Sequence, residues 1–171
     1  LLGAQALAAV GSTGSISFFV IGSCTGVCSG FAIPVAQQMG AGDLSRMRRY
    51  VANAAWLAVL FAVVPTAATC LLCRTILTVM NTPADIFDGA YAYIFIIFLG
   101  IPTTFLYNLL AGILRSLGDS KTPVYFLALA AFLNIALDFA LILWFDAGVA
   151  GAAIATVISQ GVSGASCLAY M

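Results

Sequence analysis

Phe132-Leu-Asn-Ile-Ala-Leu-Asp-Phe-Ala-Leu-Ile-Leu-Trp144 is an apolar run interrupted by one amide and one acid. It lies within a segment from 123 to 145, long enough to cross about 30 Å of hydrocarbon at about 1.5 Å per residue. Strand-period alternation is absent, and unpaired backbone cannot face lipid, so the segment is predicted to be a membrane-spanning helix. A carboxylate at such a depth costs roughly 2.5 to 3.5 kcal/mol on insertion scales. Asp138 therefore persists only with polar partners or a water-filled cavity, and Asn134 stands one helical turn before it on the same face. An acid so placed points to transport.

Outward from this stretch, the composition extends the reading to the whole chain. Hydrophobic residues make up 63% and charged residues 7%, with a mean hydropathy of +1.13. No soluble domain of this size keeps such a surface dispersed. Five spans are predicted, at roughly 12–38, 50–72, 88–114, 123–145 and 149–171, giving an all-α polytopic membrane helix bundle that occupies 1–171. Net charge is zero and histidine is absent, which argues against a nucleic-acid partner or a histidine-ligated metal.

The connections carry start and stop chemistry. Asn81-Thr-Pro-Ala-Asp85 places Thr82 as an N-cap, Pro83 at the first helical position and Asp85 as a capping-box acid. Gly118-Asp-Ser-Lys-Thr-Pro123 closes one helix with glycine and opens the next with Thr122 and Pro123. Arg46, Arg48 and Arg49 in one connection and Arg115 and Lys121 in another mark the cytoplasmic side of a cell membrane. The other two connections hold Arg74 beside Asp85, Asp88 and Asp146. The chain then ends in the cytoplasm. It begins with Leu1 at a span boundary, which suggests that another helix precedes it.

With each span directed, Asp138 and Thr156 are both expected about 10 Å below the outer surface, close enough to meet. Asn134 lies a turn deeper, and Asn108 on the third span deeper still. Burial disfavours an ionised carboxyl, whereas an amide donor or a bound cation favours it, so hydration changes between two conformations would load and unload Asp138. Its carboxylate, the Asn134 carbonyl and the Thr156 hydroxyl also suit a hard cation such as Na⁺. H⁺ and Na⁺ both remain open as the coupling ion, and no cofactor is expected beyond it. The alternative is a polar clamp between helices, since interhelical hydrogen bonds in membranes contribute about 0.6 kcal/mol on average.

Other features read mainly as packing. Gly22, Gly26 and Gly30 form one four-residue ladder, and Gly151, Ala155 and Ser159 another. Pro34, Pro65 and Pro102 fall inside spans and are expected to kink them. Cys24, Cys28, Cys70 and Cys73 sit in apolar helix without further ligand spacing, as small filler. Tyr50, Tyr107, Tyr125 and Trp144 suit interfacial anchoring, and Tyr107 could also face a cation through its ring.

Leu2-Gly-Ala-Gln-Ala-Leu-Ala-Ala-Val-Gly11, Pro34-Val-Ala-Gln-Gln-Met-Gly-Ala-Gly-Asp43, Leu106-Tyr-Asn-Leu-Leu-Ala-Gly-Ile-Leu-Arg-Ser-Leu-Gly-Asp-Ser-Lys-Thr-Pro123, Leu133-Asn-Ile-Ala-Leu-Asp138 and Gly148-Val-Ala-Gly-Ala-Ala-Ile-Ala-Thr-Val-Ile-Ser-Gln160, in this order, resemble the multidrug and toxic compound extrusion (MATE) family. The resemblance covers essentially the whole chain. It implies helices two to six of a twelve-helix, two-lobed antiporter that exchanges drugs or organic cations for H⁺ or Na⁺. It also implies an amino-terminal-lobe cation site with Asn134 and Asp138 on the fifth helix, Thr156 on the sixth and Asn108 on the fourth. The first-helix acid of that site and the carboxy-terminal lobe would come from the rest of the protein.

The implied partners are membrane lipid and a cationic or neutral small molecule. An exporter of polysaccharide or lipid-linked precursors with the same architecture is the alternative transporter. The lack of buried Arg or Lys in the spans argues against anionic cargo. A structural membrane subunit without a transport cycle is a further alternative. An enzyme is least supported, because no nucleophile with a base, metal-ligand cluster or phosphate loop is apparent.

Overall fold

A computed structural model describes residues 3–145 and 147–171. Leu1 and Leu2, at the start of the first quoted motif, and Asp146, one of the acids above, lie outside them. The described residues form six helices and no strand: α1 (Gly3–Gly40), α2 (Leu44–Val79), α3 (Phe87–Leu99), α4 (Ile101–Ser116), α5 (Lys121–Leu143) and α6 (Gly148–Tyr170). The chain is an all-α membrane helix bundle, as expected, but its spans differ in detail.

The third predicted span is two helices, α3 and α4, bent by 41° across Gly100. Pro102 at the start of α4 has no N–H to continue the α3 ladder. The Thr103 and Thr104 side chains instead donate to the Gly100 carbonyl. Counted as one bent span, the pair brings the total to five. Pro34 and Pro65, by contrast, lie inside unbroken helices. There the neighbouring hydroxyls of Thr66 and Thr69 donate to the carbonyls of Ala62 and Pro65 at 2.7 Å. Helices α1 and α2, with 38 and 36 residues, reach about 57 and 54 Å at the standard rise and outrun the hydrocarbon. Arg46, Arg48 and Arg49 consequently stand on the first turns of α2 rather than in a loop.

Three helix ends share one device. Gly42, Asn81 and Gly118 take left-handed backbone with φ of 72°, 53° and 95°. The next N–H in each case turns back five residues, from Asp43 to Gln38, Thr82 to Leu77 and Asp119 to Leu114. Thr82 therefore closes α2 instead of capping α3. Its Oγ1 is buried without a partner, and α3 begins only at Phe87 after a turn at Pro83. At the other two ends the residue after glycine also caps the following helix. Asp43 Oδ1 accepts from the Arg46 N–H, and Asp119 Oδ1 from the N–H groups of Lys121 and Thr122. Asp119, not the Thr122-Pro123 pair, opens α5.

Helix α1 packs on α2, α3 and α4, while α6 lies against α3, α4 and α5. The core between α1 and α4 uses small residues: Cys28 Sγ–H donates to the Phe105 carbonyl at 3.8 Å, and Ser116 Oγ–H to the Ala32 carbonyl at 3.0 Å. Cys24, Cys28 and Cys73 are buried, as small filler would be, and Cys70 is half-buried. Gly151, Ala155 and Ser159 are buried where α6 meets its neighbours. Gly22, Gly26 and Gly30 are exposed, with nothing within 4 Å of where a Cβ would stand, so that ladder makes no close contact within the described bundle. The outer surface is apolar, with Phe18, Trp56, Leu71 and Phe132 each more than 70% exposed, as lipid contact demands.

Candidate functional site

Helix α5 is apolar around most of its circumference and buries only Pro123 and Ala130 within the described chain. Its main neighbour is α6, with α4 touching it near its start, where Tyr107 Oη–H donates to the Pro123 carbonyl at 3.1 Å. This hydrogen bond gives Tyr107 a packing role, and its ring is buried. The polar residues of α5 must therefore be satisfied by α6 or by something outside the described chain.

Asn134 meets α6 directly. Its Nδ2 donates to Thr156 Oγ1 at 3.4 Å, and Thr156 in turn donates to its own helix at the Ala152 carbonyl. Asn134 lies about 14 Å from the end of α5 and Thr156 about 12 Å from the start of α6, so the antiparallel pair brings them to the same level. The expected meeting of Asp138 with Thr156 is thus made by Asn134 instead. One turn nearer the connecting loop, Asp138 Oδ1 is buried and accepts no hydrogen bond among the described residues. The side chain lines an open hollow of about 320 Å³ on the exposed face of α5, with Ile135, Phe139, Ile142 and Leu143.

Asn108 stands apart. Its Nδ2 donates to the Thr104 carbonyl one turn back at 2.8 Å, and no hydrogen bond carries it to Asn134, Asp138 or Thr156 among the described residues. Three other residues come to the neighbourhood. Tyr93 of α3 lies within Coulombic reach of the Asp138 carboxylate. Ser159 and Gln160 share with Asn134 and Thr156 a second cavity of about 160 Å³, also lined by Leu127, Ala130 and Ala131. The signal for the α6 pair was their spacing of three and four residues from Thr156, which sets them on its face. Tyr93 gave none, since nothing local relates α3 to α5.

The basic residues are all exposed. At the loops, hydrogen bonds from the Arg46 N–H and Ser45 hold the Asp43 carboxyl below its usual range, and bonds from Thr122 do the same for Asp119. The Arg46–Asp43 ion pair at 3.2 Å is open to solvent and screened. No group of three or more acids, cysteines or histidines is placed to hold a metal among the described residues.

Comparison with known proteins agrees with this architecture. The family model MatE matches residues 1–140. A protein of Bacillus subtilis named "Probable multidrug resistance protein YpnP" is 36% identical over 163 residues, covering 95% of this chain and 37% of its own length. The "Probable multidrug resistance protein NorM" of Thermotoga maritima is 31% identical over 171 residues, covering 98% of this chain and 37% of its own length. A solved structure described as an inward-facing conformation of a multidrug resistance MATE family transporter superposes with a TM-score of 0.94 at 26% identity, covering 99% of this chain and 38% of that one. The chain thus spans little more than a third of the proteins it resembles. With its apolar spans, its bent α3–α4 pair and this match over most of its length, the chain belongs to the MatE family of multi-pass membrane transporters.

Proposed function

We propose that the chain is part of a secondary antiporter that expels cationic or neutral small molecules in exchange for H⁺ or Na⁺, with Asp138 as the acid that takes up the coupling ion. The observation that carries this reading is the buried Asp138 Oδ1, unpartnered among the described residues and facing an open hollow on an apolar helix. A structural clamp would tie both polar residues of α5 across the interface. Asn134 is tied in this way and Asp138 is not.

An ionised Asp138 attracts a cation, which neutralises it and lowers the cost of keeping it out of water. Asn134 and Thr156, one turn deeper, are positioned as neutral oxygen ligands to a hydrated or partly dehydrated ion. When the surrounding helices change their exposure, rehydration favours release, which is how one acid couples an ion gradient to alternating access. The exposure of every Lys and Arg favours cationic or neutral cargo over anionic cargo. In this reading the chain supplies helices two to six of a twelve-helix, two-lobed protein in a cell membrane. Asn108 belongs to the same lobe but contributes from its own helix rather than as a direct partner of Asp138.

In the full-length protein, Asp138→Asn preserves side-chain size and removes the charge. Gradient-driven efflux from proteoliposomes should then vanish with membrane insertion intact. Unchanged efflux under an imposed H⁺ or Na⁺ gradient contradicts the proposal.

A further inference from the structure

Hydroxyls in an apolar helix ordinarily donate to a carbonyl one turn back, and those of Thr25, Thr66, Thr78, Thr156 and Ser166 do so here. Ser159 and Ser163 depart from this rule. Both lie on α6 at 3% and 0% exposure, and neither Oγ has a partner among the described residues. The carbonyl oxygen of the Gln160 side chain is likewise buried and unpartnered. Leaving such groups bare in an apolar interior is costly, so a polar occupant is required.

Ser159 and Gln160 line the same cavity as Asn134 and Thr156, and its volume of about 160 Å³ admits several waters at about 30 Å³ each. Ser163 stands one turn beyond Ser159 on the same helix face. The Asn134–Thr156 bridge, Ser159 and Gln160 thus share one cavity, with Asp138 one turn of α5 to one side of it and Ser163 one turn of α6 beyond it. The α6 groups run along that helix away from the α5–α6 connection and toward the end of the bundle that carries Arg115 and Lys121.

We propose that these groups flank a hydrated ion route, in which waters held by Ser159, Gln160 and Ser163 connect Asp138 with that far end of the bundle. The proposal rests on the reading of Asp138 as the ion-binding acid and adds the path by which the ion arrives or leaves. No bond is made or broken in the protein. An ion passes between ordered waters and the carboxylate, and the α6 side chains act as positioning residues for those waters.

The test uses the full-length protein in proteoliposomes, with Gln160→Leu, Ser159→Ala and Asp138→Asn compared for rate of ion uptake and for equilibrium substrate binding. Gln160→Leu should slow uptake about tenfold, the equivalent of one lost hydrogen bond of about 1.4 kcal/mol, with substrate affinity unchanged. Ser159→Ala barely alters volume and guards against misfolding of the Leu variant. It should also slow uptake, and radiolytic hydroxyl labelling of α6 near Ser159 should fall in both variants. Uptake at the native rate in both, or lost substrate affinity with native uptake, overturns the route. If those variants behave normally while Asp138→Asn is inactive, the route fails and the acid's role stands. An active Asp138→Asn protein removes the acid's role itself.

Discussion

Asp138 and Asn134 share one face of one helix, yet the structure gives them different environments. The amide is tied to Thr156 and the carboxylate is not. Thr156→Val removes the acceptor for Asn134 and, on the proposed function, one neutral ion ligand, so ion-coupled efflux should weaken about tenfold rather than vanish. A loss as complete as that of Asp138→Asn would give Thr156 a larger part than a single ligand. The pairing of Asn134 with Asp138 was legible because only these two polar residues interrupt the run from Phe132 to Trp144. The Ser159 and Gln160 contributions were not, because serine in a small-residue ladder looks the same whether its hydroxyl is back-bonded or free.

The two loop acids titrate in the opposite regime from a buried one. Asp43 and Asp119 lie part-exposed at helix ends, and hydrogen bonds from Arg46 and from Thr122 lower their folded values. Their support of α2 and α5 is therefore complete above about pH 3.9, the unfolded value, and is lost as pH falls through the lower folded values. Amide exchange at Arg46 and Thr122 should stay slow from pH 7 to 5 and accelerate, beyond the intrinsic rate, below about pH 4. Unaltered protection down to pH 2 would show that these carboxylates do not hold the caps.

At the scale of elements, α6 packs against α3, α4 and α5, and close approach makes this possible. A Cβ at Gly164 would lie 3.1 Å from Leu106 and 3.2 Å from the Tyr107 backbone nitrogen, so α4 would have to move. Gly164→Ala should destabilise the protein by about 1 to 3 kcal/mol, read as a lower midpoint of thermal unfolding in detergent. An unchanged midpoint would mean that α4 and α6 are less tightly fitted than described.

The five-span count was legible from hydropathy, since each span is an unbroken apolar stretch of sufficient length. The break within the third span was not. A proline inside a hydrophobic stretch is accommodated at Pro34 and Pro65 but coincides with a 41° bend at Pro102. At Pro102 the missing N–H falls beside Gly100, where an added methyl would collide with Val157 of α6, so a local break and a tight tertiary contact coincide at the bend. The N-cap assigned to Thr82 failed for a related reason. Asn81 in left-handed backbone spends the Thr82 N–H on closing α2, a choice that the sequence of the turn shares with an ordinary helix start.

For the whole molecule, five of the six basic residues gather at one end of the bundle, together with Asp43 and Asp119, while Arg74 stands at the other. Arg46, Arg48 and Arg49 at the start of α2 and Arg115 and Lys121 flanking the α4–α5 loop share one end, and Asp85 and Asp88 lie at the other. If the basic end is cytoplasmic, cysteines placed at Arg48 and at Ser120 should resist an impermeant maleimide in intact cells, and one at Asp85 should react. Labelling of Arg48→Cys and Asp85→Cys from the same side would undo the topology.

Most directly, under the proposed function Asp138 binds the coupling ion and gives it up when substrate is exchanged. Addition of a transported cation to the purified full-length protein in weakly buffered detergent, with H⁺ and Na⁺ release followed by electrode, reports that exchange. The native protein should release one of the two ions on substrate addition, and Asp138→Asn should release neither. Equal release from both proteins would contradict the assignment of the acid.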